Sequence, residues 1–411
     1  MTLCSKDDFI HQEKHYAGYV SIKRGKLFYY HIPHMNNNLI IWLNGGPGCS
    51  SEIGRILENG PKIILENGKQ RENEYSWDKL GNMLYIDQPL NVGFSEGESV
   101  YDEKQVVEDF TEFMGNLFIE YPQFQDMNIY LSGESFAGTY IPYIGQGLLA
   151  ANFNVKGMLI GNGWIDPMHQ YRSYIDYSIK EQLLLPKYIK EIESKWEICK
   201  AELLKSNKIL EPKCEAIADL IFKSSKEMNQ GKCTNMYDIR LVEEQGCGEN
   251  WPYALPEVYK YLQNPITMAK LHTNKTWVEC NNKVYKEMSK DVSSPSYMLL
   301  PDLLKKIPII LFNGDKDFIC NHLGQESMIN NMTWNNQKGF ATKPKPVVLN
   351  GHHYGEIQSE SNLLYLKIYN ASHMVPIDQP EISYHMVKHF LEGTLVLYFN
   401  IDESYFTFNL K

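Results

Sequence analysis

Apolar residues arrive in two rhythms along this chain. Short unbroken runs recur: LIIWL (Leu39–Leu43), NMLYI (Asn82–Ile86), NIYLS ending at Ser132, GMLIGN from Gly157, IPIILF (Ile307–Phe312) and LLYLKIY (Leu363–Tyr369). Runs this short are strand-sized, and strands apolar on both faces belong to a parallel sheet covered by helices. Between them lie stretches of helical period. In KQVVEDFTEFMGNLFIEYPQF, Val106, Val107, Phe110, Phe113, Met114, Leu117 and Phe118 fall on one helix face. Near the start, HYAGYVSI and KLFYYHI flank Arg24-Gly25 and predict a hairpin.

Strands alternating with helices predict an α/β fold with a mostly parallel central sheet flanked by helices. Between Asp176 and about Asp291 the character changes to charged, Cys-rich and helical, which reads as an insertion. The expected organisation is a core over 1–177, a helical insertion or cap over 178–290, and the rest of the core over 291–411. A chain of 411 residues accommodates that plan.

Charge and composition narrow the function. The net charge of −10 argues against nucleic-acid binding, which needs clustered Lys and Arg. No segment reaches the ~18 consecutive apolar residues of a membrane-spanning helix. The first residues, MTLCSKDDFIHQ, lack the basic start and apolar stretch of a secretory leader. The eight cysteines point elsewhere. Cys199, Cys214, Cys233 and Cys247 are separated by 14, 18 and 13 residues, unlike the close pairs of a zinc site. Disulfides are the better reading, and they imply an oxidising compartment on the secretory pathway. A leader is therefore expected ahead of the given start. Sequons occur at Asn274, Asn331 and Asn370, with the first two the better glycan candidates. Neither HExxH nor GxxxxGK[ST] occurs, so no metal or other cofactor is expected. Oligomeric state is not legible.

Candidate chemistry centres on Gly133-Glu134-Ser135-Phe136-Ala137-Gly138, which follows the strand NIYLS and opens a helix. Such a strand–turn–helix elbow lifts a serine above the sheet's carboxyl edge and needs small neighbours, here Gly133 and Ala137. Partners follow in the hydrolase order Ser, Asp, His. Asp315 and Asp317 come after the run ending at Phe312. His373 comes after the run ending at Tyr369, where a loop can carry a general base; His352 and His353 lack that placement.

WLNGGPGCSS (Trp42–Ser51), LENGP (Leu57–Pro61), YIDQPLNVGFS (Tyr85–Ser95), LSGESFAGTYIP (Leu131–Pro142), IGNGWIDP (Ile160–Pro167), FNGDKDFICN (Phe312–Asn321) and NASHMVPIDQP (Asn370–Pro380) together resemble the serine carboxypeptidases of the α/β-hydrolase fold. CTNMYDIR (Cys233–Arg240) and CGENWP (Cys247–Pro252) resemble the pheromone-processing carboxypeptidase, or carboxypeptidase D, branch. The resemblance implies hydrolysis of the last peptide bond of a peptide or protein through an acyl-enzyme, with release of C-terminal Lys or Arg. A broad-specificity vacuolar or lysosomal type and a carboxypeptidase-like acyltransferase are the alternatives. Branch members usually carry a leader and a membrane span near the C-terminus.

By resemblance Ser135 is the nucleophile, His373 the base and Asp317 the orienting carboxylate, chosen over Asp315 because Phe-Ile-Cys follows it. The N–H groups of Gly46 and Phe136 match an oxyanion hole. Asn44, Glu58 and Glu134, with Trp42 and Gly45 nearby, match the grip on the substrate's terminal carboxylate. Two Glu can hold an anion if they share a proton. Cys49 is expected to pair with Cys280, and Cys320 matches a free thiol beside the site. Three pairings remain for the other four cysteines; nested 199–247 and 214–233 is the expected one. Cys4 is unassigned. Ile53 stands where basic-preferring members can place an acid, so Glu52, Glu249 and Asp176 are candidates for meeting a cationic side chain.

Overall fold

The apolar runs pair side by side in a computed structural model of the chain, which describes residues 15–206 and 208–395. Cys4 lies outside them. The strands are β1 (Tyr16–Ile22), β2 (Gly25–Ile32), β3 (Asn38–Leu43), β4 (Asn82–Asp87), β5 (Asn128–Glu134), β6 (Val155–Gly161), β7 (Ile309–Gly314), β8 (Lys345–Leu349), β9 (His352–Glu360) and β10 (Leu363–Ile368). They lie in the order β1-β2-β4-β3-β5-β6-β7-β10-β9-β8, and a two-residue strand, Glu96–Gly97, pairs with β2 beside this path. The six strands from β4 to β10 in that order are parallel. Antiparallel strands border them at both edges.

The unbroken apolar runs are explained by burial on two faces. Leu39, Ile41 and Leu43 join a core with Phe110, Phe113 and Leu117 of helix α1 (Glu103–Glu120) and Ile141 and Ile144 of α2 (Ala137–Ala150). Ile40 and Trp42 point the other way, into a second core. The Asp102 carboxylate caps α1 by accepting from Gln105 N at 2.8 Å. Helix α3 (Pro167–Lys180) runs through the expected 177/178 boundary.

The Cys-rich stretch holds α4 (Ile189–Ser206), α5 (Pro212–Met228), α6 (Leu255–Leu262), α7 (Pro265–Lys270) and α8 (Asn282–Met288). Helix α4 buries Ile192, Trp196, Cys199 and Leu203 at helical spacing and packs on α5. After β7, α9 (His322–Asn331) packs on α3. Past β10, α10 (Val375–Asp378) leads into α11 (Pro380–Leu391), whose Met386 and Phe390 close the second core.

Among the described residues three disulfides form: Cys49–Cys280, Cys199–Cys214 and Cys233–Cys247. The nested pairing is therefore corrected to a sequential one. The reason is local: Cys199 and Cys214 face each other across the α4–α5 hairpin, and the 233–247 bridge closes its own loop. Cys320 is a buried free thiol.

Parallel register brings five strand ends to one edge of the sheet. Leu43 pairs with Gly133, Glu134 with Gly161, and Gly314 with Ile368. The segments that follow those ends carry Asn44, Ser135, Asn162, Asp317 and His373. This edge is where parallel α/β sheets place their sites.

Candidate active site

Ser135 sits between β5 and α2 with φ +60°, a conformation few non-glycine residues adopt. Its N–H donates to Gly161 O and Asn162 O at 3.1 Å each, and its own carbonyl accepts from Trp164 N at 2.7 Å. These bonds over-determine the strained turn. A Cβ at Gly133 would overlap Leu43 O and meet Ala137 Cβ at 2.9 Å, which explains why small residues flank the serine.

The Asn44-Gly45-Gly46 turn after β3 presses on the same elbow. A Cβ at Gly45 would overlap Phe136 N and lie 2.7 Å from Ser135 Cβ. Among the described residues, neither Gly46 N nor Phe136 N donates to another protein group. Two open N–H groups beside a serine hydroxyl are what a developing oxyanion requires. The turn is anchored from below by Asp87, whose carboxylate accepts from Ser50 Oγ at 2.6 Å, Ser51 N at 3.0 Å and Phe94 N at 2.8 Å.

His373 Nδ1 lies 2.8 Å from Asp317 Oδ2, and both side chains are buried. Asp317 also accepts from Asn162 Nδ2 at 2.7 Å, Ile319 N at 3.0 Å and Cys320 N at 3.2 Å. A carboxylate so held orients the imidazole through Nδ1, so that Nε2 is left to take a proton. Asp315 instead pairs with Lys316 Nζ at 3.1 Å. His352 and His353 are exposed on β9. Cys320 lies among these groups, near the Ser135 side chain and with its thiol within 4.8 Å of the facing atoms of Asp317 and His373. Burial and the charge of Asp317 push that thiol well up, so it stays protonated. A protonated thiol and a carboxylate already accepting four hydrogen bonds make a poor metal site, although their atoms cluster.

The carboxylate-gripping candidates also come together. Trp42 Nε1 donates to Asn44 Oδ1 at 2.8 Å, and Asn44 Nδ2 donates to Glu134 Oε1 at 3.1 Å. Glu58 ends a π-helical turn, Gly54–Glu58, in which Asn59 N donates to Gly54 O at 3.0 Å. Its carboxyl is buried facing Glu134 and Asn44, and neither of its oxygens has a hydrogen-bond partner within the protein. Burial first, then the neighbouring Glu58, pushes Glu134 well above the ordinary carboxylate range. Burial raises Glu58 as well, partly offset by the neighbouring Glu134, Asn44 and His373. Two buried carboxyls that face each other are stable when they hold a proton between them.

The acidic candidates for a cationic side chain are otherwise engaged. Glu52 is buried and takes both oxygens to Arg55 Nε, at 2.9 and 3.0 Å. Asp176 pairs with Arg172 at 2.8 Å, and Glu249 accepts from Cys247 N. Ile53 is buried in the second core. Of the three, Glu52 alone is buried with both oxygens committed; Asp176 and Glu249 are exposed.

Two contributors were not individually read from the sequence. Asn162 had a visible signal: it lies in IGNGWIDP, directly after β6 at the strand edge. Tyr237 had none, because only the fold brings its segment to the histidine loop. Tyr237 O accepts from His373 N at 2.9 Å, and its ring lies 5.2 Å from the imidazole and stacks on Trp251 at 5.5 Å.

The sheet, the strained serine and the His–Asp pair define a hydrolase of the α/β class. Comparison with known proteins narrows this. The family model described as serine carboxypeptidase matches residues 6–393, and the chain belongs to that family. It is 40% identical over 413 residues to a protein named pheromone-processing carboxypeptidase kex1 from Aspergillus niger, covering 92% of this chain and 67% of that one. The protein of the same name from Aspergillus terreus is 38% identical, at 92% and 66% coverage. The chain thus spans about two thirds of the length of these curated relatives. The crystal structure of Kex1(delta)p, a prohormone-processing carboxypeptidase from Saccharomyces cerevisiae, superposes with a TM-score of 0.84 at 32% identity, covering 95% of this chain and 93% of that one.

Proposed function

We propose that this chain is a serine carboxypeptidase that releases C-terminal Lys or Arg from peptides in propeptide processing. The observation that carries the reading is the Glu58–Glu134 carboxyl pair set against the Ser135 elbow, because an endopeptidase or esterase has no use for it. A substrate carboxylate accepts hydrogen bonds from Asn44 and from the proton the two glutamates share, with Trp42 and the Gly45 turn closing the subsite. This fixes the last peptide bond over Ser135.

Ser135 Oγ attacks the carbonyl carbon as His373 Nε2 takes its proton. The oxyanion accepts from Gly46 N and Phe136 N, and Asp317 balances the imidazolium. The C–N bond breaks when His373 returns the proton to the leaving amine, and the terminal amino acid departs. Water, deprotonated by His373, then hydrolyses the acyl-enzyme.

The relatives named as pheromone- or prohormone-processing carboxypeptidases support the assignment to propeptide processing. Three disulfides support folding on the secretory pathway. Asn274 and Asn331 are both exposed, which suits the expected glycans. No helix among the described residues is long and apolar enough to cross a membrane. The helical stretch over 178–290 acts as the cap, supplying Tyr237 and Trp251 to the cleft.

The test is a pair of peptides ending in Arg, one with a free carboxylate and one amidated. The free peptide loses its Arg and the amide resists. Equal turnover of both would refute the exopeptidase reading.

A further inference from the structure

A buried acid sits where the cap returns to the core. Glu103 opens α1 and is 0% exposed. Two carboxylates already take the positive end of that helix: Asp102 accepts from Gln105 N at 2.8 Å and Asp291 accepts from Glu103 N at 3.1 Å. The Glu103 carboxyl is a third, and neither of its oxygens has a hydrogen-bond partner among the described residues. The charged groups facing it are Asp291 and Asp102, both acidic, and no Lys, Arg or His offsets them. From α2 the phenols of Tyr140 and Tyr143 face it, and burial and then Glu103 hold both above their ordinary range. A buried carboxylate with neither donor nor cation is too costly to keep, so the folded chain holds Glu103 as the neutral acid. Burial first, then Asp291, pushes it well above the ordinary carboxylate range.

Asp291 follows α8 and starts the segment that carries the chain from the helical stretch back onto the sheet domain. Its Oδ1 accepts from Ser293 N at 2.7 Å, Tyr143 Oη donates to Ser294 O at 2.6 Å, and Ser296 Oγ donates to Gly138 O at 2.7 Å. With the bond from Glu103 N, these dock 291–296 on α1 and α2. Helix α2 starts at the serine elbow, and Tyr140 packs edge-on against Phe136 with ring centres 5.0 Å apart. The junction therefore ties the cap to the helix directly behind the nucleophile.

We propose that Glu103 and Asp291 form a proton-operated latch between the cap and the core, closed while Glu103 carries its proton and opened by the repulsion of two buried carboxylates when it ionises. The latch is shut in acid, the range in which the Glu58–Glu134 pair also holds its proton, and it does not depend on which peptide the site takes. Below the ordinary Glu range the folded and unfolded chains both hold the proton. Above it the unfolded chain releases a proton that the folded chain keeps. Stability therefore falls as pH rises, until the raised folded value is passed.

The experiment follows urea unfolding and amide hydrogen exchange of wild type, Glu103→Gln and Asp291→Asn from pH 5 to 8. The wild-type unfolding constant climbs relative to that of Glu103→Gln by on the order of tenfold per pH unit. The other buried acids act alike in both chains and cancel, as does any constant loss caused by the substitution. Over the same range the protection factors of amides 289–296, corrected for the intrinsic exchange rate, fall in wild type and stay level in Glu103→Gln. In Asp291→Asn the repulsion is gone and the fall moves to higher pH. Parallel unfolding curves for wild type and Glu103→Gln overturn the proposal. So does a steeper wild-type curve with level protection at 289–296, because Glu103 then weakens the whole fold without opening the junction. Asp291→Asn carries the test if Glu103→Gln does not fold: a loss of protection at the same pH as in wild type contradicts the latch.

Discussion

Asn162 Nδ2 lies 2.7 Å from Asp317 Oδ2, the same oxygen that faces His373 Nδ1 at 2.8 Å. The asparagine also accepts from Gly314 N through Oδ1 at 3.1 Å, so one side chain joins the ends of β6 and β7 and aims the carboxylate. It makes no contact with the serine hydroxyl or the expected substrate position, and its role is to position.

Replacing Asn162 with Ala frees Asp317 to rotate and leaves Gly314 N without its acceptor. Loss of a buried hydrogen-bond partner costs about 1–3 kcal/mol of stability. We expect kcat to fall on the order of tenfold or more through misorientation of the imidazole, with KM little changed. Steady-state kinetics and a denaturant melt of the same sample check both. A rise in KM with kcat retained would assign Asn162 to substrate binding instead.

The Glu58–Glu134 pair sets a pH dependence. Both carboxyls are raised by burial, Glu58 to about 7. In acid the pair holds its proton and can donate to a substrate carboxylate. As pH climbs through the raised value the proton leaves, two negative charges face the substrate anion, and KM rises. Peptide KM measured from pH 5 to 8.5 should climb through neutrality. In Glu58→Gln the amide cannot ionise, so the climb flattens. A wild-type KM that is level over this range would contradict proton sharing.

The Cys233–Cys247 bridge closes the loop that carries Tyr237 to the histidine segment. Replacing both cysteines with Ser should cost about 3 kcal/mol, the chain-entropy value for a loop of this size. It should also lower kcat by loosening the contact at His373 N. Thermal melting and kinetics read the two effects. Non-reducing peptide mapping should recover 199–214 and 233–247 as separate linked pairs.

Arg240 holds the other side of the histidine loop. Its Nη1 donates to Asn370 O at 2.9 Å and its Nη2 to Asp378 Oδ2 at 3.0 Å, while Asp378 accepts from Ser372 N at 2.7 Å. The guanidinium is partly exposed, so solvent screens the pairing and the effect on stability is small. Arg240→Ala should reduce kcat several-fold, on the scale of a single charge-assisted hydrogen bond, and added salt should reproduce part of the loss. Unchanged kinetics would show that Tyr237 suffices to hold the loop.

Much of this was legible because the chemistry sits on elements with strong local signatures. The six parallel strands announce themselves as unbroken apolar runs, since both their faces are buried. The Ser135 elbow is visible because its strain demands Gly133 and Ala137. The β8–β9 hairpin went unread although Asn350-Gly351 lies at its turn with φ of 51° and 79°, a pairing suited to a tight hairpin. Its strands are polar and half-exposed, so their alternation is weak. The disulfide pairing within the insertion was misjudged, because spacing carries no information on which helix faces meet. Tyr237 and Arg240 belong to the site through contacts across more than 100 residues of chain, and no local pattern encodes those.

The most direct test of the central claim is mass-resolved digestion of a defined peptide ending in Arg, with wild type and Ser135→Ala in parallel. The account predicts loss of that one residue by wild type and a rate at least ~10² lower in the variant, the scale of removing an essential catalytic group. Comparable release by Ser135→Ala, or a wild type that cuts only internal bonds, would contradict it.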